Sequence, residues 1–581
     1  MLLSILITFL LSTQAYAQSQ LIDQEFERLL ADHWSAYLKA NPEVATGIGV
    51  RDYDHLLSDP SLQAYDDNIE RLTKFLERAK AFDKRALSKE NQLNRDLFVL
   101  DLDTQINASK HGGKYMIMTN RGGPHLSLTN LVGRLPFFTL NDYESYLARL
   151  KGMPEYLTRA TERLDAGLKA GWVQPCEPMV GFEKSIQTHL VENISDSVFL
   201  GPFTNRVSSI ADIDFSNLKA VAESVVKDDV LPAMEKFERF YLESYAPACR
   251  KDVGTNSMPG GSEYYSHRVK RFTTTDLSAD DVHQLGQSEV ARIRNEMLTV
   301  IKRAKFEGSF EEWLIYLRDT PKFYPKTADE RMQHVASISK KIDGKLPELF
   351  GRLPRMPYGL KEIPADIAEK TTTAYYQRPA GDGSRAGFYF VNTSKLDTRP
   401  LYQLEALSLH EAVPGHHLQL ALAQELDLPN FRKFGGITVF VEGWALYAER
   451  LGLEVGFYET PFTDFGRLSY EMWRACRLVV DTGLHSKGWT RQQAINFMAE
   501  NSGLSMNNIV SEVDRYITWP GQALAYKIGE LKIRELRERA ETILGDKFDV
   551  RTFHDKVLEN GALPLSILET VVDQWLEEQK T

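Results

Sequence analysis

His410-Glu411-Ala412-Val413-Pro414-Gly415-His416-His417-Leu418-Gln419 places three imidazoles and one carboxylate in eight positions of a chain that has 13 histidines in 581 residues. The flanks, Leu401 to Leu409 and Leu420 to Leu426, are rich in Leu, Ala, Glu and Gln, all strong helix formers. The cluster therefore belongs on a helix that is interrupted near Pro414-Gly415. Two histidines one turn apart on a helix, with Glu directly after the first, form a zinc-hydrolase pattern. The imidazoles hold the ion, which acidifies a water, and the Glu takes the proton.

The spacing here differs from that pattern. His410 and His416 are six residues apart rather than four. Six steps turn a helix by about 600°, onto another face. His417 returns near the first face but lies about 10.5 Å along the axis, too far for bonds of about 2 Å to one ion. Either histidine needs a local bulge, and Pro414 with Gly415 supplies the means. His416 is the better placed because Gly415 immediately precedes it; His417 stays open as the alternative ligand. A plain helix with incidental histidines does not explain so costly a helix breaker.

A third ligand is expected downstream, in Val439-Phe440-Val441-Glu442-Gly443-Trp444-Ala445-Leu446-Tyr447-Ala448-Glu449. Glu442 lies inside an apolar run, 26 residues past His416, which leaves room for a loop and a second helix. Glu449 lies seven residues further, on the same helix face. It suits holding a ligand histidine from behind; a solvated charge beside Arg450 is its other reading.

His-Glu-Ala-Val-Pro-Gly-His-His-Leu-Gln followed by Glu-Gly-Trp-Ala-Leu-Tyr-Ala-Glu resembles domain-of-unknown-function family 885. That family in turn resembles the helical gluzincin metallopeptidases: thimet oligopeptidase, angiotensin-converting enzyme and carboxypeptidase Taq. The departure is Ala-Val-Pro-Gly in place of the usual two intervening residues. The resemblance implies a mostly α, two-lobed fold around a cleft, with a small β-sheet beside the metal site. It also implies that a strand edge before the metal helix binds the substrate backbone. Gly387 to Thr393 would take that part by β-addition, with Asn392 adding an amide contact; a purely structural sheet is the other reading.

Residues 371–376 and 387–392 are β-rich and separated by Pro379, Gly381, Asp382 and Gly383, as in a hairpin. Most other segments show helical spacing, and Ser278 to Asp281 has the form of a helix N-cap. Arg474, Arg477 and Asp481 share a helix face, and His485 follows as either an oxyanion donor or a helix cap. Further on, Pro520 opens a helix that carries Gln522, Tyr526 and Lys527, and Gly529 permits close helix packing. Tyr526 is a second candidate oxyanion donor. Arg515 or Lys527 would hold a peptide carboxylate, as basic residues on late helices do in the related gluzincins.

Residues 1–17 end in Ala15-Tyr16-Ala17 after an apolar run, the form of a secretory signal peptide. The run is short for a membrane span, so no stable membrane anchor is expected. No low-complexity linker divides residues 18–581, which are expected to form one helical region with lobes near 18–260 and 261–581. A net charge of −11 argues against nucleic acid as a partner. The three cysteines leave room for one disulfide, Cys176 with Cys249 being the candidate pair, but not for a disulfide scaffold. Nothing in the sequence fixes an oligomeric state.

The expected protein is an exported, periplasmic or secreted zinc peptidase acting on short peptides. One Zn2+ per chain is held by His410, His416 and Glu442, although affinity alone does not single out zinc among divalent ions. Glu411 is the general base. A metal-dependent hydrolase of a non-peptide amide or ester, and an inactive peptide-binding protein on the same scaffold, are the alternatives.

Overall fold

Apolar residues at helical spacing, bounded by Ser and Thr caps, produce a chain that is 69% helix and 3% strand in the computed structural model. The structure describes residues 20–365, 367–369 and 371–580. The leader expected over residues 1–17 lies outside the described residues. Among the described residues, no helix is long and apolar enough to cross a membrane.

The Ser278 cap forms as expected. Its hydroxyl accepts from Asp281 N, and Asp281 Oδ2 accepts from Ser278 N at 2.9 Å. Helix α1 (Leu140–Lys169) has the same kind of box from Thr139 and Asp142. It anchors an apolar cluster drawn from residues 118–245. A second, larger cluster holds the site. It joins α2 (Ala279–Arg303), the sheet, α3 (Leu404–Glu411), α4 (His416–Glu425), α5 (Thr438–Leu451), α6 (Pro461–Ser486), α7 (Met506–Thr518) and α8 (Ala525–Leu544). The expected helix interruption is a complete break, with α3 and α4 separate. Cys176 and Cys249 are disulfide-bonded, while Cys476 is free and buried.

Two glycines set the distance between α5 and α8. A Cβ on Gly443 would lie 2.5 Å from Gly529 Cα, and one on Gly529 would lie 2.0 Å from Val439 O. Backbone therefore meets backbone, as the sequence reading expected of Gly529, and Glu442 on α5 faces Tyr526 on α8 across a narrow gap.

The sheet has three strands: β1 (Tyr358–Glu362), β2 (Ala374–Gln377) and β3 (Gly387–Val391). β2 and β3 form the expected antiparallel pair, Ala374 opposite Val391 and Gln377 opposite Phe388. β1 was not foreseen. It pairs parallel with β3 and gives the order β1-β3-β2. This corrects one expectation: β3 is central, its backbone committed on both sides, so it has no edge for a substrate. The edge strand on the cavity side is β2, whose first residue Ala374 lines the cavity described below.

Candidate metal centre

Helix α3 ends at Glu411 and α4 restarts at His416, with a turn between them that includes a cis Val413–Pro414 bond. Gly415 is required by space. A Cβ there would lie 1.9 Å from His410 O and 2.5 Å from Leu409 O. The turn is held by Trp444 Nε1, which donates to Pro414 O at 2.8 Å, and by His417 N, which donates to Ala412 O at 2.9 Å. A folded turn, rather than a bulge within one helix, thus brings the second histidine back over the first.

The result is a compact donor set. One ligand atom each from His410, His416 and Glu442 lies within 4.8 Å of the others. Glu442 Oε2 is 3.4 Å from His416 Nε2 and 3.8 Å from His410 Nε2. Bonds of 2.0–2.2 Å at tetrahedral angles would put ligand atoms roughly 3.3–3.6 Å apart, so a zinc-sized ion fits with small adjustments. Glu442 Oε2 is buried and accepts no hydrogen bond, an expensive arrangement for a carboxylate unless a cation answers it. These residues fit a divalent metal.

Glu449 does not sit in solvent. It is 2% exposed, and its Oε1 accepts from His410 Nδ1 at 2.8 Å, with Arg474 Nη2 3.3 Å away. That bond places the proton on Nδ1 and turns the Nε2 lone pair toward the ligand set. Burial pulls the His410 pKa down, but the carboxylates of Glu442 and Glu449 outweigh it and hold the pKa at about 9. Burial alone would raise Glu442; its histidine neighbours hold it far below the carboxylate range instead. Both directions mark a place that favours a positive charge. Glu411, 8% exposed, has its pKa raised, chiefly by burial, which suits a group that must take up and release a proton.

His410 and Glu411 line a cavity of about 490 Å³ together with Thr372, Thr373, Ala374, Trp473 and Tyr526. The Tyr526 ring is stacked on His410 with centroids 6.3 Å apart and planes 14° apart. Its pKa is raised, chiefly by burial, so the phenol is a neutral donor. Gln522 is one step behind: its Nε2 donates to Tyr526 Oη at 3.4 Å, and its Oε1 accepts from Arg515 Nη1 at 2.6 Å. Arg515 itself lines the cavity, as do Arg121, Arg474 and Arg477.

Four expected site residues have other work. His417 is not a ligand: Tyr376 Oη lies 2.7 Å from its Nδ1 and Met356 O lies 2.9 Å from its Nε2, so both nitrogens tie α4 to the sheet region. Asn392 is fully buried, and its Nδ2 donates to the carbonyls of Ala368, Thr371 and Thr372. It shapes the approach to β2 and meets no substrate. His485 is 1% exposed, with Nδ1 accepting from Thr255 N and Nε2 donating to Tyr516 O. No nitrogen is left for an oxyanion. Lys527 is wholly buried among Glu289, Glu471 and Glu530 at 2.8–3.0 Å and cannot reach a peptide carboxylate.

Arg121 lines the cavity although the sequence reading did not single it out. It reaches the cavity from the first half of the chain and lies 3.3 Å from Glu512 Oε1. Arg477 and Arg515 share the other oxygen of Glu512, each at 2.9 Å. The only signal was a charged side chain before Gly122-Gly123-Pro124; its partner is 391 positions away.

Among solved structures, the chain is similar to one described as "the putative lipoprotein from Colwellia psychrerythraea", with 29% identity and a TM-score of 0.90 over 96% of this chain and 99% of that one. It shares its fold with "a putative lipoprotein of unknown function from Shewanella oneidensis", with 19% identity and a TM-score of 0.69 over 94% of this chain and 99% of that one. No curated protein matches. The class is thus a large helical protein with a small sheet and a His-His-Glu set. The pattern described as "Bacterial protein of unknown function (DUF885)" matches residues 42–572, and the chain belongs to that family.

Proposed function

We propose that the protein is a divalent-metal-dependent peptidase, with zinc the ion that best suits its two imidazoles and one carboxylate. The observation that carries this reading is the convergence of His410, His416 and Glu442, with His410 and Glu411 in the wall of one cavity. An ion held there supplies Lewis acidity toward a water and a carbonyl oxygen. Glu411 takes a proton from the attacking water and delivers it to the departing amine. Tyr526 donates its hydroxyl to the oxygen that gains negative charge, and Gln522 fixes the direction of that hydroxyl. The outer side of β2, unpaired within the sheet, aligns an extended peptide beside Glu411.

We also propose that the protein is exported. The Cys176–Cys249 disulfide suits an oxidising compartment, and the structural neighbours are described as putative lipoproteins. The test of function pairs elemental analysis with a peptide-library cleavage assay on the wild type, His410→Ala and Glu411→Gln. The expected result is about one zinc per chain, lost in His410→Ala. Glu411→Gln should keep the ion and lose roughly 10²–10⁴-fold in turnover. Turnover retained in Glu411→Gln refutes the role of Glu411; a wild type that takes up no divalent ion refutes the reading as a whole.

A further inference from the structure

A second cavity, of about 240 Å³, opens beside the first and shares Thr119, Thr518 and Trp519 with it. Its lining contains Lys114, Arg163, Arg250, His267, Arg268 and Arg271 and no carboxylate. This runs against the composition of a chain whose net charge is −11. The guanidinium groups make their hydrogen bonds to carbonyls rather than to acids. Arg163 donates to Lys114 O and Pro60 O, Arg250 to Val173 O and Gly254 O, and Arg268 to Pro520 O. Carbonyls orient these guanidinium groups without neutralising them. Acids act on them mainly at a distance: Asp66, 61% exposed, lies 3.6 Å from Lys114, Asp101 acts on Arg271, Asp252 on Arg250 and the buried Asp481 on Arg268. His267 adds a buried Nε2 with no hydrogen-bond partner.

The cavity lined by His410 and Glu411 continues the same field. Arg121, Arg477 and Arg515 share one carboxylate, Glu512, which leaves a surplus of positive charge. Each also keeps a buried nitrogen without a partner: Arg121 Nε, Arg477 Nη1 and Arg515 Nε. Between the two cavities stands Trp519, 43% exposed, an aromatic surface shared by both. Guanidinium groups oriented by carbonyls and short of acidic partners are matched by ligand carboxylates. The charges are spread along a tract rather than gathered at one point, so the ligand must carry several anionic groups in series.

We propose that the two cavities form one binding tract and that its ligand is an acidic peptide, its backbone passing the metal centre while its carboxylates occupy the basic cavity. This rests on the peptidase reading for hydrolysis, but not for binding. The test is calorimetric titration of the full chain, kept metal-free with chelator, against hexapeptides carrying three consecutive glutamates at one end or the other. Glutamine counterparts and inorganic phosphate are the controls. One glutamate peptide should bind at least about tenfold more tightly than its glutamine counterpart. The double variant Lys114→Gln/Arg271→Gln, which touches none of the metal or proton-transfer groups, should erase that preference and leave the glutamine peptide within about twofold.

Equal affinity for glutamate and glutamine peptides, or no binding of either, overturns the proposal. So does a double variant that keeps the preference. Phosphate binding as tightly as the peptide would make the tract a small-anion site, which also overturns it. Selective binding with no cleavage on adding zinc would sink the peptidase reading and leave this one standing; cleavage indifferent to charge would do the reverse.

Discussion

Replacing Gly415 by alanine adds one methyl group at the point where the two helices of the metal site join. That carbon would sit 1.9 Å from His410 O and 2.5 Å from Leu409 O, both backbone atoms at the end of α3. An ordinary contact is 3.4 Å or more, so the turn must open by more than 1 Å. Strain of this kind costs roughly 1–3 kcal/mol. In a chain of this length, that cost is a small change in melting temperature. The ligand geometry is the sharper readout, because a bound ion tolerates only about 0.2 Å in each bond. An opening of the turn carries His416 Nε2 away from its 3.4 Å separation from Glu442 Oε2. The expected outcome is at least a tenfold loss of zinc affinity, measured by competition with a chromophoric chelator, with helical circular dichroism unchanged. Gly436→Ala is the control, since a Cβ there meets nothing within 4 Å. If Gly415→Ala binds zinc as tightly as the Gly436→Ala control, the tight turn does not position the second ligand and the reasoning fails.

Glu449→Gln removes the carboxylate that accepts from His410 Nδ1; zinc affinity should fall about 10–100-fold with the three ligands untouched, and an unchanged chelator competition curve would show that Glu449 does not orient His410. Lys527→Met removes the buried ammonium shared by Glu289, Glu471 and Glu530 and leaves them only Arg292, Arg467 and Arg534, for a loss of about 3 kcal/mol. A thermal midpoint equal to the wild type would contradict the buried network. Acid should destabilise the fold through its buried histidines, an effect offset in part by Glu405 and Asp481, which burial lifts to about 7. Burial holds the pKa values of His33, His417 and His485 at about 4, below the ordinary 6.5. Between those values the unfolded chain binds more protons, so this stability is full above pH 6.5 and is lost as the pH falls toward 4. Melting at pH 7 and pH 4.5 tests this; an equal or higher midpoint at pH 4.5 would refute it.

The clustering of the candidate ligands was legible because their spacing is local. His410, Glu411 and His416 lie within seven residues, and Glu442 with Glu449 repeats the helical face on which both work. The break at Pro414-Gly415 was legible too, though not its form, because the clash that demands glycine involves carbonyls brought round by the turn itself. What failed was the assignment of polar side chains whose partners are far away in sequence. Lys527 meets Glu289, and His485 meets Thr255, more than 200 positions upstream. A polar residue beside a motif looks the same on paper whether it points into a cavity or into the core. β3 was misplaced at an edge for a related reason: Tyr358-Gly-Leu-Lys-Glu362 lacks the alternation and β-branching that announce a strand, so its partner on the far side went unseen. Arg121 escaped because nothing near Gly122-Gly123 hints at Glu512.

His416 and His417 are consecutive residues with opposite commitments, one facing the ligand set and the other fastened to Tyr376 on β2 and to Met356 ahead of β1. A single peptide unit would therefore couple an ion held there to the strand on which a peptide would lie. By reciprocity, whatever the ion gains when that strand is steadied, the strand gains when the ion arrives. The two adjacent imidazoles act as a hinge pin shared by two leaves, and loading either leaf sets the other.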